Sequence, residues 1–295
     1  MKDYQLKALL QVVDSGSIRA AARALGISQP AVTKAIRELE AEVDAPLVHR
    51  SSRGVDLTEC GRQLTIRARL VQAQLAMARQ DIRQLQGGQQ ASVAVSVTPV
   101  VFMGALPEVL REFKREMPQA QVRLFEGLMP LALPQLREGF VDFAVAAAVE
   151  GSLDSDLELD PIAPIQMMVA CRPGHPLARA TTWEELVDAE WLVHRAPGSH
   201  HTVLFERFVR EGLPVPERLL EANTFGVSWS LMTRSDLLLM LPERFLSIEP
   251  YARQIVRVPL RMELPALTLG ILKLRASPLS LAAGRLATLF QRYCR

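Results

Sequence analysis

The sequence predicts a multi-domain chain of mixed α+β and α/β class, in which a small helix-and-hairpin part and one long helix precede a two-lobed α/β part. Three observations predict it. Residues 1–57 hold three short helical periodicities and a strand pair, residues 58–90 hold one unbroken heptad stripe, and residues 91–295 alternate strand-like and helix-like runs. With 49% hydrophobic residues over 295 positions, the chain has enough apolar surface for more than one core.

The N-terminal part reads element by element. Leu6, Leu9, Leu10 and Val13 recur at helical spacing and stop at Asp14-Ser15-Gly16, where glycine supplies a turn. Ser17 stands as the N-cap of a second, alanine-rich helix that Gly26 is placed to end in a left-handed cap. Ser28 offers another N-cap, and Pro30 is tolerated in the first turn of a third helix reaching about Glu42. Two helices joined by so short a glycine turn make a helix-turn-helix. Along the third helix Val32, Ile36 and Leu39 form an inward face, while Gln29, Thr33, Lys34 and Arg37 project from another face, suited to phosphates and to base edges in a major groove. Ser17, Arg19, Ser28, Pro30 and Ala31 complete this candidate DNA-contacting set around the turn. A generic three-helix bundle with a solvated polar face is the alternative. Against it stand Pro46 to Arg50 and Val55 to Leu57, strand-like runs that bracket Ser51-Ser52-Arg53-Gly54 as a hairpin with a basic tip, a wing able to lay Arg50, Ser52 and Arg53 on a DNA backbone.

Charge placement agrees with this reading. Residues 1–90 carry 13 Lys and Arg against 9 Asp and Glu, a net +4, and residues 91–295 carry 21 against 23, a net −2. A local basic surface on a near-neutral chain is implied.

The stretch Leu6 to Gly61, with Gly16-Ser17, Ala21-Ala22, Leu25, Ser28-Gln29-Pro30-Ala31, Ile36, Leu39-Glu40, Pro46-Leu47, Arg50 and Leu57-Thr58-Glu59-Cys60-Gly61, resembles the signature of the LysR-type transcriptional regulators. Two positions depart from it: Val48 stands where the family commonly has an aromatic, and Thr33 where it commonly has Ser. The resemblance implies a winged helix-turn-helix on a dimerising linker helix and a periplasmic-binding-protein-like effector domain. It implies operator DNA and a small-molecule effector as partners and a dimer of dimers as the assembly. RNA polymerase is left open as a further partner.

From the Thr58 cap onward, Leu64, Ala68, Val71, Leu75, Ala78, Ile82 and Leu85 alternate in steps of four and three, a heptad seam for pairing with a second copy. Its roughly 28 residues span about 42 Å at ~1.5 Å per residue. Docking on the chain's own second domain is the alternative, though a narrow seam is more typical of helix pairing. Gly87-Gly88-Gln89-Gln90 reads as a flexible joint.

Beyond the joint, strands are expected at Ala91 to Val97, Gln121 to Phe125, Asp142 to Ala147, Ile165 to Cys171, Trp191 to His194, Leu237 to Leu241 and Leu267 to Leu274. Helices are expected at Val100 to Glu116, Leu131 to Glu138, Thr182 to Val187, Ser199 to Glu211 and Leu279 to Tyr293, and Phe225 to Thr233 is a further element of the second set whose type is left open. This alternation implies a parallel sheet, divided into lobe I (91–162 and 266–295) and lobe II (163–265). Ligands of open α/β sheets bind beyond the carboxyl ends of strands. That rule picks out Thr98, Pro99, Leu128 and Met129 in lobe I, and Ser199, His200, Thr224, Phe225 and Ser228 in lobe II. Each has a plainer alternative: Thr98 as a cap, Met129 and Phe225 as core, and His175 in its Gly-His-Pro-Leu run as a turn residue. Helix N-termini and hydroxyl donors suit a small organic anion such as a carboxylate or sulfonate.

No catalytic set emerges. There is no G-x-S-x-G elbow, H-E-x-x-H or phosphate-binding glycine loop. Adjacent His200 and His201 on one helix point apart, which disfavours a shared metal with Ser199 and His194 nearby. Neither an enzyme, a cofactor nor a metal is expected. Cys60, Cys171 and Cys294 are odd in number and far apart, so reduced thiols are expected. With no basic n-region and apolar run at the N-terminus and no membrane-length apolar stretch, the expected location is the cytoplasm; a secreted solute receptor is disfavoured on the same ground.

Overall fold

The structure, a computed structural model, describes residues 1–51, 54–86, 91–149, 153–194, 200–222, 224–261, 264 and 266–295. Helix α1 (Asp3–Ser15) buries Leu6, Ala8, Leu9 and Val12, and Gly16 closes it at φ 67°, a left-handed conformation that costs glycine nothing. Ser17 accepts from the Ala20 N–H at 3.2 Å and starts α2 (Ile18–Leu25); Ser28 accepts from the Ala31 N–H at 3.3 Å and starts α3 (Gln29–Val43). Val32, Ala35, Ile36 and Leu39 bury the inner face of α3. Strands β1 (Val48–Ser51) and β2 (Gly54–Leu57) pair antiparallel with Val48 opposite Leu57. Val48 is buried with the three-helix core, so the smaller residue still packs the hairpin.

Helix α4 (Glu59–Leu85) has 27 residues, about 40 Å at ~1.5 Å per residue. Thr58 caps it: its hydroxyl donates to the Pro46 carbonyl at 2.7 Å and accepts from the Gly61 N–H at 2.9 Å. The first turns of α4 lie on the headpiece, where Ala68 is buried and Leu64 packs against the core. Arg69 pairs with Asp14 at 2.6 Å, and Gln72 donates to Asp3 at 2.8 Å.

The chain divides into two compact units, residues 1–82 with 137–140, and residues 83–136 with 141–295. In the second unit β3 (Ser92–Val97), α5 (Pro99–Phe102), α6 (Leu106–Glu116), β4 (Gln121–Glu126), α7 (Met129–Arg137), β5 (Phe143–Ala148) and β6 (Leu157–Ile165) follow one another. Next come β7 (Met167–Cys171), β8 (Trp191–Val193), α8 (His200–Arg210), β9 (Leu219–Glu221), α9 (Phe225–Met232), β10 (Leu239–Pro242), β11 (Val256–Arg257), β12 (Leu267–Leu274) and α10 (Leu281–Tyr293). Lobe I is a five-stranded sheet in the order β4-β3-β5-β12-β6, and lobe II is built on β10-β7-β11 with β8 and β9 paired beside it.

The central strands of the lobe I sheet are buried on both faces. Val93, Val95, Val97, Phe143 and Val145 join the large core with Val109, Phe113 and Phe290, while Ala94, Ala144 and Ala146, on the opposite face by strand alternation, pack with Ala132 and Leu136 of α7. Methyl-sized side chains on that face let α7 lie close.

Four expectations are corrected. The sheet is mixed, because β12 runs antiparallel to both β5 and β6 while β3 runs parallel to β4 and β5. The single helix from Val100 to Glu116 is two, interrupted at 103–105 before Pro107 takes an early helical position. Strand β6 was not foreseen: Pro161 and Pro164 signal a crossover, yet β6 is the sheet edge, where a missing N–H is tolerated. The run Ile165 to Cys171 therefore belongs to two strands of different lobes, with Gln166 between them.

A Cβ at Gly61 would lie 2.0 Å from the Leu47 carbonyl oxygen, which itself accepts from the Thr58 N–H at 3.0 Å. Gly61→Ala is expected to cost roughly 1–3 kcal/mol through this overlap. Thermal unfolding of the full chain checks it, and an unchanged midpoint would show that helix and strand separate without penalty.

Candidate nucleic-acid interface and effector site

On the headpiece, α3 presents Gln29, Pro30, Ala31, Lys34 and Arg37 as exposed residues, with Thr33 half-buried; Arg19 is exposed on α2 and Ser28 at the turn. The Ser17 and Ser28 hydroxyls already cap helices. Among the described residues Arg19 and Arg37 form no ion pair, and Lys34 reaches Glu38 only at 3.8 Å with its own side chain largely exposed. Glu38 is held instead by the Tyr4 hydroxyl at 2.6 Å, which keeps its carboxyl below the usual range, with Gln5 and Lys34 adding to the effect. The cations of this face are thus uncommitted. Arg50 lies in β1, and Ser52 and Arg53 fall outside the described residues, as does the side chain of Arg50.

The wing is hung from the recognition helix. Glu40 accepts from the Leu47 and Val48 N–H groups at 2.9 and 3.3 Å, and the Val55 N–H donates to the Gly16 carbonyl at 3.1 Å.

The seam residues divide. Leu64 and Ala68 are used within the headpiece and are not free for a second copy, a correction whose cause is the tie of α4 to α1 through Arg69 and Gln72. Val71, Leu75, Ile82 and Leu85 remain 45%, 39%, 55% and 78% exposed, and Ala78 is exposed with them.

In the second unit the strand-end residues are less uniform than the rule that selected them. Thr98 is 6% exposed and its side chain does not cap α5; Pro99 is buried and Leu128 half-buried beside it in lobe I. Met129 packs in the core beneath α7 rather than at a surface. Thr224 caps α9 through the Val227 N–H at 3.4 Å, and Ser228, fully buried, donates to the Thr224 carbonyl at 3.0 Å. The Phe225 ring is spent on an aromatic cluster, 5.3 Å from both Phe245 and Trp229 and edge-on to Phe102 of lobe I at 6.1 Å. Ser199 and the side chain of His200 fall outside the described residues, as does the 87–90 joint. Met129, Phe225 and Ser228 are therefore corrected to core roles, because burial and internal bonds occupy their side chains. One residue escaped sequence reading altogether: Glu126, at the end of β4, accepts from the Phe225 N–H at 2.7 Å.

Among the described residues no cluster of His, Cys, Asp and Glu could hold a metal, and no helix is long and apolar enough to cross a membrane. The cysteines are free thiols, and burial pushes Cys171 and Cys294 up to about 11.

A winged helix-turn-helix with open cations, a long helix and a two-lobed α/β domain define a DNA-binding regulator that senses a ligand. Residues 4–62 match the bacterial regulatory helix-turn-helix model of the lysR family, and residues 86–295 match the LysR substrate binding domain. The chain belongs to the LysR family of bacterial transcriptional regulators. It is 29% identical to the HTH-type transcriptional regulator GalR of Pseudomonas putida, over 91% of this chain and 68% of that one. Its fold is shared by full-length LysG of Corynebacterium glutamicum with bound effector arginine (TM-score 0.66, 20% identity, 99% and 98% of the two chains). Full-length CbnR complexed with its target DNA is similar too (TM-score 0.63, 19% identity, 99% and 100%).

Because the Tyr4 bond depresses the Glu38 carboxyl, it contributes stability that is present above the unfolded-state value and is lost as pH falls through the depressed one. Tyr4→Phe is therefore expected to lower the unfolding midpoint at neutral pH and to leave it unchanged in strong acid. A midpoint difference that persists in acid would place the effect in ring packing rather than in this bond.

Proposed function

We propose that the α3 face reads operator DNA, with Gln29 and Thr33 at base edges and Lys34 and Arg37 on phosphate or base. Ser17, Arg19, Ser28, Pro30 and Ala31 seat the turn, and Arg50, Ser52 and Arg53 of the wing reach the backbone. The observation that carries this is the pair of uncommitted arginines on α2 and α3 beside a Lys34 that is only loosely paired. Residues 1–57 form the DNA-binding part, 58–90 the linker and 91–295 the effector domain. Two copies pair along α4 through Val71, Leu75, Ala78, Ile82 and Leu85, and a dimer of dimers is the assembly. A small organic anion held between the lobes alters how the headpieces sit on DNA. The free cysteines suit a reducing cytoplasm.

Selection from a random duplex pool, followed by titration across salt concentrations, tests the DNA face. Arg37→Ala is expected to weaken binding to all duplexes and to reduce the slope of log affinity against log salt by about 1. Gln29→Ala is expected to spare non-specific binding and relax one base position by ~1–3 kcal/mol. If neither variant changes binding, the face is wrongly assigned.

A charge in the exposed seam must be desolvated or must part the helices, at a cost of several kcal/mol. Leu75→Asp and Ile82→Asp are expected to sediment as monomers at concentrations where the parent chain sediments as a dimer, with the far-ultraviolet circular dichroism of the second unit preserved. Dimers that survive both substitutions would move the interface off α4.

A further inference from the structure

Residues 137–140 lead from α7 toward β5 in the chain, yet they pack with residues 1–82 in the first compact unit. On either side of them Leu136 and Val141 are buried in the core that α7 shares with the sheet. The backbone just beyond is fixed to β3, since the Asp142 N–H donates to the Ala94 carbonyl at 2.7 Å and the Asp142 carboxylate accepts from the Ala94 N–H at 2.7 Å. Four residues held at both ends in this way move with the sheet.

What they touch is α4. Gly139 lies in the left-handed region at φ 70°, and a Cβ there would sit 2.8 Å from the Ala73 Cβ and 3.6 Å from the Leu70 Cα, so this position requires glycine on two counts. The Arg69 guanidinium lies 4.9 Å over the centre of the Phe140 ring, which is otherwise 40% exposed. The same guanidinium pairs with Asp14 at 2.6 Å. Two residues on from Asp14, the Gly16 carbonyl accepts from the Val55 N–H of the wing at 3.1 Å. At about 100° per residue, Arg69 and Ala73 lie on the side of α4 away from Val71, Leu75 and Ala78, which stay exposed. The contact thus leaves the pairing seam open.

We propose that Gly139-Phe140 is a coupling latch: a turn between α7 and β5 that grips the linker helix behind its pairing seam and, through Arg69, holds the end of α1 from which the wing hangs. One guanidinium plane serves a ring and a carboxylate at once, so Arg69 cannot follow a displaced Phe140 without lengthening its bond to Asp14. A rearrangement of α7 or β5 then reaches the wing along a continuous chain of contacts, from the Phe140 ring through Arg69 and Asp14 to the Gly16 carbonyl and the Val55 N–H. This coupling does not depend on what the wing binds, and its failure would leave the assignment of the DNA face untouched.

Hydrogen–deuterium exchange of the full chain, read by mass spectrometry on the peptides that cover residues 12–16 and 54–57, tests the latch. Phe140→Ala is expected to speed exchange in both segments about two- to fivefold, the factor that a partly exposed cation–π contact supplies. Gly139→Ala, which pushes the turn off Ala73, is expected to do the same, and it carries the test if Phe140→Ala disturbs the core beneath α7. Arg69→Ala is expected to speed exchange further, because it also removes the pair with Asp14, and adding Phe140→Ala to that background is expected to change nothing more. Leu131→Ala, at a similarly exposed apolar residue of α7, is expected to leave both segments as they are in the parent. Unchanged exchange at 54–57 in both Phe140→Ala and Gly139→Ala overturns the proposal. An undiminished effect of Phe140→Ala without Arg69, or an equal effect from Leu131→Ala, overturns it too, since either means general loosening rather than a path through one side chain.

Discussion

The DNA-reading unit depends on the backbone of a single dipeptide, Pro46-Leu47. The recognition helix reaches it through the Glu40 carboxylate on the Leu47 N–H, and the long helix reaches it through Thr58, whose hydroxyl and N–H take the Pro46 and Leu47 carbonyls. Gly61 then passes so close to Leu47 that no side chain fits between them. Recognition helix, wing and linker helix are thus all hydrogen-bonded to the backbone of one dipeptide, and none can rotate without breaking one of these bonds. In a DNA-binding regulator this fixes the recognition helix and the wing against the start of the linker helix.

The effector domain is held by a different constraint, a sheet whose central strands are buried on both faces. Along β5, Phe143, Val145 and Ala147 serve one core while Ala144, Ala146 and Ala148 serve the other, so a shift of one residue would exchange large side chains for small on each face. Lobe II is packed around aromatic side chains instead, with Trp183, Trp191 and Phe208 in edge-to-face contact on one side and the Phe225 cluster toward lobe I. Between the lobes Phe102 meets Phe225 edge-on at 6.1 Å, beside the Glu126 bond to the Phe225 N–H.

How much of this was legible in the sequence follows from the range of the interaction involved. Caps are local: Ser17, Ser28 and Ser280 each satisfy an N–H three residues on, and Gly16 and Gly26 each end a helix by their own φ. The headpiece could therefore be read almost residue by residue. The antiparallel course of β12 between β5 and β6 could not, because it depends on pairings more than 100 residues apart, and the prolines of β6 spoke against a strand until its edge position was known. Strand-end reasoning could not tell which of the selected side chains of the second unit turn inward. Ser228 and Phe225 turn inward, whereas Glu126 has no local signature, since its meaning lies in a backbone N–H of the other lobe. The heptad pattern was sound as a periodicity and silent on which of its residues the headpiece would claim.

The three thiols differ in a way that has a practical use. Cys171 and Cys294 lie in the core with their ionisation suppressed, while Cys60 stands exposed in the first turn of α4, within two residues of the Thr58 cap. Thiolate chemistry follows exposure and ionisation, so a maleimide or nitroxide reagent added to the unmodified protein should attach at one position per copy. That position rides on the rigid junction of linker and wing. A spin or fluorophore pair placed there would report the distance between the two headpieces of an assembled regulator, on and off DNA, without any engineered cysteine.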